Sequence, residues 1–288
     1  MGIQDLIQNV TDRSNLRRHT TPLVPPSLTD AIRFPYGPFR FRTMLPKGTA
    51  IEVLASTDLK NWNPIWKSIA GQDPIEYVDS QAHKFSYRFY RLLAGEVYSR
   101  NVIGYVTITL PPGFSMIANP LEGSTNRIAD QFGEWPDGTT LSKYDTRFFR
   151  LEENAVKDGQ WQNSSEKLLP GEGAIFFNPT QEYKTHNFVG EAMYGNLSMP
   201  IPPGFSIRSS LLPHPGSLDD LHFPVADGDV IHLFDRDRQK YVLHPYENGK
   251  WSAGPPVVGL GESFWVAKAK AGNWMRRLAV GEQGSSSS

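Results

Sequence analysis

Apolar residues recur along this chain at two different spacings. At the start, Ile3, Leu6, Ile7 and Val10 follow an i, i+3, i+4, i+7 pattern, which predicts a short amphipathic helix over residues 1–12. A helix of that length is marginal alone, so its stripe must dock on the body of the protein or on another chain. Five prolines between Thr20 and Pro38 then predict an extended stretch, with one helical turn after a Ser27 cap. Residues 1–33 are therefore expected to form an arm, first helical and then Pro-rich.

From residue 34 the spacing changes to two. FRFRTM (39–44), AIEVLAS (50–56) and FSYRFYRLL (85–93) read as strands, with TDLKNWNP (57–64) as a turn, and together they predict a small β module over 34–99. In the last of these strands Phe85, Tyr87 and Phe89 alternate with Ser86, Arg88 and Tyr90, the pattern of a sheet with one wet side.

Further along, the chain repeats itself. GYVTITLPPGFSMIANPL at 104–121 matches GNLSMPIPPGFSIRSSLL at 195–212, 91 residues on. Asp137-Gly138 then matches Asp227-Gly228, Tyr144-Asp145 matches Phe234-Asp235, Trp161 matches Trp251, and Gly171-Glu172-Gly173 matches Gly261-Glu262-Ser263, each 90 residues apart. This predicts a tandem duplication, with copies at 100–193 and 194–281 and a disordered tail at 282–288. Each copy holds five or six short strands, including Tyr105–Leu110, Phe114–Ile117, Thr140–Tyr144, Ala174–Phe177 and His186–Val189 in the first. Val230–Phe234, Phe264–Ala267 and Met275–Val280 follow in the second. Gly113 and Gly204, each after Pro-Pro, can take a positive φ at no steric cost, and a helical turn is predicted over Asn126–Phe132 with a similar counterpart at Leu218–Phe223. The fold class expected is all-β: tandem sandwich- or barrel-like modules, the two copies packed about a pseudo-two-fold axis.

These motifs carry a resemblance. LPPGFSMIANPL, PDGTTLSKYD, Trp161 and LPGEGAIFFNP, with IPPGFSIRSSLL, ADGDVIHLFD, Trp251 and GLGESFWVAKA, resemble an uncharacterised family of duplicated β modules near the C-termini of bacterial surface and secreted proteins. EVLASTDLKNWNPIW with SYRFYRLL is similar to a companion β module of such proteins. The resemblance implies the fold and brings no activity or catalytic residue. It also implies a surface or secreted location, whereas the chain shows no signal peptide and carries the arm, which points to the cytoplasm or to a particle assembled there.

Composition narrows the classes. Twenty-three prolines and 25 glycines make up about one residue in six, above the roughly 12% of an average chain, and suit short strands and turns. No cysteine is present, which excludes disulfides, thiolate metal sites and a cysteine nucleophile. Lys plus Arg (29) balances Asp plus Glu (30), without the basic excess of a phosphate-backbone binder. No run reaches the ~18 apolar residues of a membrane span.

The candidate chemistry is sparse. Trp161 and Trp251, kept in both copies, read as core or cap residues, and Glu172 and Glu262 as acceptors for turn amides. Asp227, Asp229, Asp235 and Asp237 do not match a calcium loop, and His214, His222, His232 and His244 have no metal-ligand spacing; the first copy has only His186. Arg40, Arg42, Arg88 and Arg91, interleaved with Phe39, Phe41, Phe89 and Tyr90, read as a sheet face whose arginines lie over rings rather than as a nucleic-acid site. No nucleophile elbow, P-loop, dinucleotide fingerprint or zinc-protease motif occurs, so no catalytic residue, cofactor or metal is assigned. The function expected is a non-enzymatic structural or protein-interaction subunit of a larger assembly (a filament, shell or phage-like particle), docking other chains or its own copies through Ile3, Leu6, Ile7 and Val10. The alternatives are a carbohydrate or surface-ligand module stacking a glycan on Trp62, Trp66 or Trp135, and a hydrolase with an unrecognised site.

Overall fold

The computed structural model describes residues 23–279 apart from residues 36 and 72. Ile3, Leu6, Ile7 and Val10, the predicted helix that carries them and the tail 282–288 lie outside the described residues. Those that are described are nearly all β, and none of their helices is long and apolar enough to cross a membrane.

The first segment supplies β1 (Thr29–Arg33), β2 (Phe39–Thr43), β3 (Ala50–Ser56), β4 (Asn63–Ile69), β5 (Ile75–Asp79), β6 (Tyr87–Ala94) and β7 (Val97–Tyr98). Thr29–Arg33 was expected to be a helical turn after Ser27. It is instead a strand paired with β2, because the chain just before it is pinned in extended form: Leu28 is buried, its N–H donates to Asn101 Oδ1 and its carbonyl accepts from Asn101 Nδ2, each at 2.9 Å. The body thus includes the end of the segment read as an arm.

The next unit supplies β8 (Ile103–Leu110), β9 (Gly113–Ile117), α1 (Ile128–Phe132), β10 (Thr140–Asp145), β11 (Arg150–Lys157), β12 (Gln160–Trp161), β13 (Ala174–Asn178) and β14 (Lys184–Glu191). Its first and last strands complete the sheet begun upstream, in the order β14-β8-β6-β3-β4. That sheet is a central layer. The predicted wet side of β6 is absent: Phe89 and the adjacent Tyr90 point to opposite faces and both are fully buried. Phe89 joins Val106, Ile108 and Phe188 against Leu141 and Phe176 of a second sheet ordered β12-β11-β10-β13-β9. Tyr90 joins Ile51, Val53 and Tyr105 against Phe39 and Phe41 of the β1-β2-β5 sheet. Each such aromatic removed from water contributes about 1.5–3 kcal/mol. The buried Tyr90 hydroxyl has a partner, donating to Asp79 Oδ2 at 2.7 Å, and the same oxygen accepts from Arg88 Nη1 at 2.8 Å. Burial and that carboxylate push the Tyr90 hydroxyl far above its usual range.

The last unit supplies β15 (Gly195–Ile201), β16 (Gly204–Arg208), β17 (Gly216–Ser217), β18 (Val230–Asp235), β19 (Lys240–Glu247), β20 (Lys250–Trp251), β21 (Val257–Val258), β22 (Phe264–Lys268) and β23 (Gly272–Leu278). Its five-stranded sheet, β16-β22-β18-β19-β20, has the strand order of its predecessor, and β15 pairs with β23 as β8 pairs with β14. Trp274, Phe264, Ile231 and Met199 lie in its core. Here the β15–β23 ribbon stands by itself, whereas β8 and β14 are embedded in the central sheet. The predicted turn at Asn126–Phe132 is α1, with Ile128 and Phe132 buried. Its counterpart at 218–223 is a run of turns instead, with His222 at a φ of 54°.

The two units meet through one contact made twice. Ala118 N donates to Gly261 O at 2.9 Å, and Ser209 N donates to Gly171 O at 3.0 Å. The bridges Ile117↔Glu262 and Glu172↔Arg208 flank these bonds. Each partner is exchanged for the residue 90 or 91 positions away, so the contact is reciprocal in the manner of an isologous interface. The Gly-Glu-Gly and Gly-Glu-Ser turns allow the close approach: a Cβ at Gly173 would lie 2.4 Å from both Ser263 Cβ and Ile207 Cγ2. One contact is not reciprocated. Gln239 Nε2 donates to Phe114 O at 3.0 Å while Gln239 Oε1 accepts from Phe114 N at 2.8 Å, yet its counterpart Phe149 is 74% exposed.

Gly173→Ala is expected to destabilise the protein by about 1–3 kcal/mol through overpacking at this contact. Adding Ser263→Gly removes one of the two clashes, and urea unfolding should then show part of that loss recovered.

Candidate functional site

The tryptophans singled out as stacking platforms are all engaged. Trp62 lies under the Arg91 guanidinium, 4.5 Å from ring centroid to Cζ, and that guanidinium is also 4.2 Å from the Tyr98 ring. Trp66 packs on Tyr77 with centroids 5.5 Å apart, and Trp135 meets Phe176 edge-on at 4.9 Å. Each is half-buried, Trp62 and Trp135 against one core cluster and Trp66 against another. Of the other arginines, Arg42 Nε is 2.9 Å from Glu76 and Arg88 is held by Asp79, so their charge is used within the fold. The residues matched between units serve turns and cores. Trp161 and Trp251 are buried; Asp137 accepts from Gly159 N, and Asp227 from Gly249 N, at 2.8 and 2.9 Å. Glu172 Oε2 accepts from Leu169 N at 3.0 Å and Glu262 Oε2 from Gly259 N at 2.8 Å, as expected of turn acceptors.

The four clustered aspartates are separated by their tasks. Asp235 Oδ1 accepts from Arg238 N at 2.9 Å in the hairpin turn, while Asp229 is fully buried and paired with Lys268, whose ammonium also donates to Pro224 O. Asp229 Oδ1 accepts from Ala269 N at 2.8 Å and its Oδ2 from Ala226 N at 2.8 Å. The matching positions in the other unit hold the neutral pair Thr139 and Asn178. No group of three or more His, Asp or Glu able to hold a metal lies among the described residues.

What the fold does bring together is a row of rings on the outward face of the last unit's sheet. Cross-strand pairing places His232 opposite both Trp265 and Leu243, and Phe234 opposite Tyr241. Side chains directly opposite in neighbouring strands share a face. The row begins in the other unit, where Tyr144, opposite Leu151, meets Trp265 edge-on with centroids 4.9 Å apart. Trp265 meets Phe205 at 6.2 Å, Phe205 meets His232 at 5.9 Å, His232 meets Tyr241 at 6.4 Å and Tyr241 meets Phe234 at 5.0 Å. Trp265 Nε1 donates to the Tyr241 hydroxyl at 3.2 Å, which ties β22 to β19 across β18. Partial burial keeps the His232 imidazole below its usual range and pushes the Tyr241 hydroxyl up, so both are neutral near pH 7. Phe205, Leu151 and Leu243 are each about half exposed. The strip is therefore an uncharged apolar surface running across both units.

Its rings alternate edge and face, at interplanar angles of 63–84°. Such a surface is corrugated, and it fits side chains of another polypeptide better than the flat face of a sugar ring. The sequence places His232 and Phe234 in one predicted strand and Trp265 in another, and no local pattern joins the two into one surface. The alternation in VIHLFD and FWVAK, which puts His232, Phe234 and Trp265 on one side, was the available signal. No protein-family model matches the chain, and no curated protein matches it in sequence.

Two outcomes follow from the buried polar groups. Asp229→Asn should cost about 3–5 kcal/mol, because it leaves the Lys268 ammonium buried without its counter-charge. The double change Asp229→Thr with Lys268→Asn, which copies the neutral pair of the other unit, should recover most of that loss in urea melts. His186 is buried and stacked on Phe132, with centroids 4.1 Å apart, and burial holds its imidazole at about 3 against 6.5 for the free group. The unfolded chain therefore binds this proton at a pH where the folded chain does not, and stability is lost as pH falls from 6.5 toward 3. Between pH 7 and 4.5 the loss is on the order of 2–3 kcal/mol, and His186→Phe should remove that share when both proteins are melted at the two pH values.

Proposed function

We propose that this chain is a non-enzymatic structural and protein-interaction subunit, and that the occupant of its aromatic strip is the N-terminal stripe Ile3, Leu6, Ile7 and Val10 of a neighbouring copy. The observation that carries this reading is the strip itself, an exposed apolar face of neutral rings flanked by Leu151 and Leu243. Aromatic and aliphatic anchors of this kind dominate the energetics of protein interfaces. The sequence also supplies a stripe that needs such a face, and twelve residues between Val10 and Leu23 span up to about 40 Å when extended, enough to leave the parent body. Exchange of arms between copies would build an assembly of like subunits.

The same reading takes residues 100–193 and 194–281 as the products of a tandem duplication, and the chain as a relative of the duplicated β-module family it resembles. Equal strand orders in the two five-stranded sheets and the reciprocal bonds at Gly171 and Gly261 support it.

Deleting residues 1–22, which spares β1, should lower the sedimentation mass to that of a single chain while the melting temperature of the body stays unchanged. Trp265→Ser with Leu243→Ser should likewise lower the sedimentation mass of the full-length chain. An unchanged mass in both variants would sink the proposal. Binding on a glycan array that is lost with the Trp265 and Leu243 changes would instead assign the strip to a carbohydrate.

A further inference from the structure

A cleft of about 410 Å3 opens between the Asp58 turn of the first segment and the free-standing β15–β23 ribbon. That volume lies within the roughly 300–1,000 Å3 of small-molecule sites. Its floor is apolar: Leu59 is buried in the central core, Leu278 packs against the same core, and Leu212 is buried beside them. Its walls carry Lys60, Arg276 and Arg277, with His214, His222 and the Asn196 amide. None of the three cations has a carboxylate partner among the described residues, and the side chains of Lys60 and Arg277 make no hydrogen bond there either. Arg276 is anchored through Nη1 to the Leu221 carbonyl, and its Nε is buried without a partner.

Two carboxylates also line the cleft, and each is held by its own turn. Asp58 accepts from Lys60 N at 2.8 Å, Asn61 N at 2.7 Å, Asn61 Nδ2 at 2.7 Å and the Ser56 hydroxyl at 2.9 Å. Burial opposes ionisation of Asp58, but these bonds outweigh it and hold its carboxyl well below the usual range. Asp220 Oδ2 accepts from the Ser217 hydroxyl at 2.6 Å. Asp58 is thus saturated by its own turn and Asp220 Oδ2 is engaged by Ser217, whereas Lys60 and Arg277 meet no partner among the described residues. Burial and the nearby Lys60 and Arg276 charges keep the His214 imidazole below its usual range, against opposing contributions from Asp58 and Asp220, which places all four groups within electrostatic reach of it.

We propose that this cleft binds the phosphate or sulfate group of a small soluble molecule, with Arg276, Arg277 and Lys60 on the oxyanion and Leu59, Leu212 and Leu278 under its organic part. A guanidinium presents its donors in the fork that matches such an oxyanion, and the ammonium adds a point charge. The site is separate from the aromatic strip and does not depend on its occupant.

The test is a backbone NMR titration of the full chain with glucose 6-phosphate, glucose 6-sulfate and neutral glucose. Shifts confined to residues 58–60, 196, 212–222 and 275–278 with either ester, absent with glucose and weakened by added salt, are expected, and the stronger of the two esters identifies the oxyanion. Lys60→Ala with Arg277→Ala removes two exposed side chains that hold no other group among the described residues, and should weaken binding at least tenfold without changing the melting temperature. No shift with either ester at millimolar concentration, shifts spread over the basic surface, or equal affinity in the double variant would each overturn the proposal.

Discussion

The structure depends on one strand that has no solvent side. In β6, Phe89 and Tyr90 are neighbours in sequence, face opposite ways and are both fully buried. A strand buried on both faces demands a layer above and a layer below. The β1-β2-β5 sheet supplies one and the β12-β11-β10-β13-β9 sheet the other. The requirement explains why Thr29–Arg33 is drawn into the body as a strand, and why β8 and β14 are shared with the upstream sheet. It also explains the Tyr90–Asp79–Arg88 cluster, since a phenol in an apolar layer needs a partner for its hydroxyl.

The last unit solves the same problem with less material. Its β15–β23 ribbon covers one face of its sheet and has no third layer behind it. Met275, on the outward side of the ribbon, is 54% exposed, and the neighbouring Arg277 reaches the cleft beside the Asp58 turn. The opposite face of the five-stranded sheet is left with its rings in the open. The cleft thus arises where a layer present around β6 is absent, while the strip includes positions matched between the units, Tyr144 with Phe234 and Phe205 with Phe114.

Much of this was legible in the sequence. Strands with one buried face are marked by alternation, as in Thr140–Asp145 and Phe264–Lys268, and the matched motifs place equivalent strands in both units. The hairpin strands Arg150–Lys157 and Lys240–Glu247 were not read as strands, because most of their length is solvated on both sides and shows no period. The wet face expected of β6 was an inference from Ser86 and Arg88, and no local pattern announces a layer brought from residues 29–43 and 75–79. The aromatic strip and the cationic cleft were hidden for a related reason. Each is assembled from segments far apart in the chain, Tyr144 with Trp265 and Lys60 with Arg277, which no strand pairing joins and only the packing of separate sheets brings together.

The reciprocal bonds at Gly171 and Gly261 have a further consequence. A two-fold contact consumes both of its complementary patches at once, so the pair it makes has no remaining valence. Because both partners belong to one chain, they meet at an effective concentration set by the connection at 192–194, and dilution cannot separate them. With Ser263 seated where a side chain at position 173 would have to go, the two turns are not interchangeable, and within the folded chain each is already engaged by the other unit.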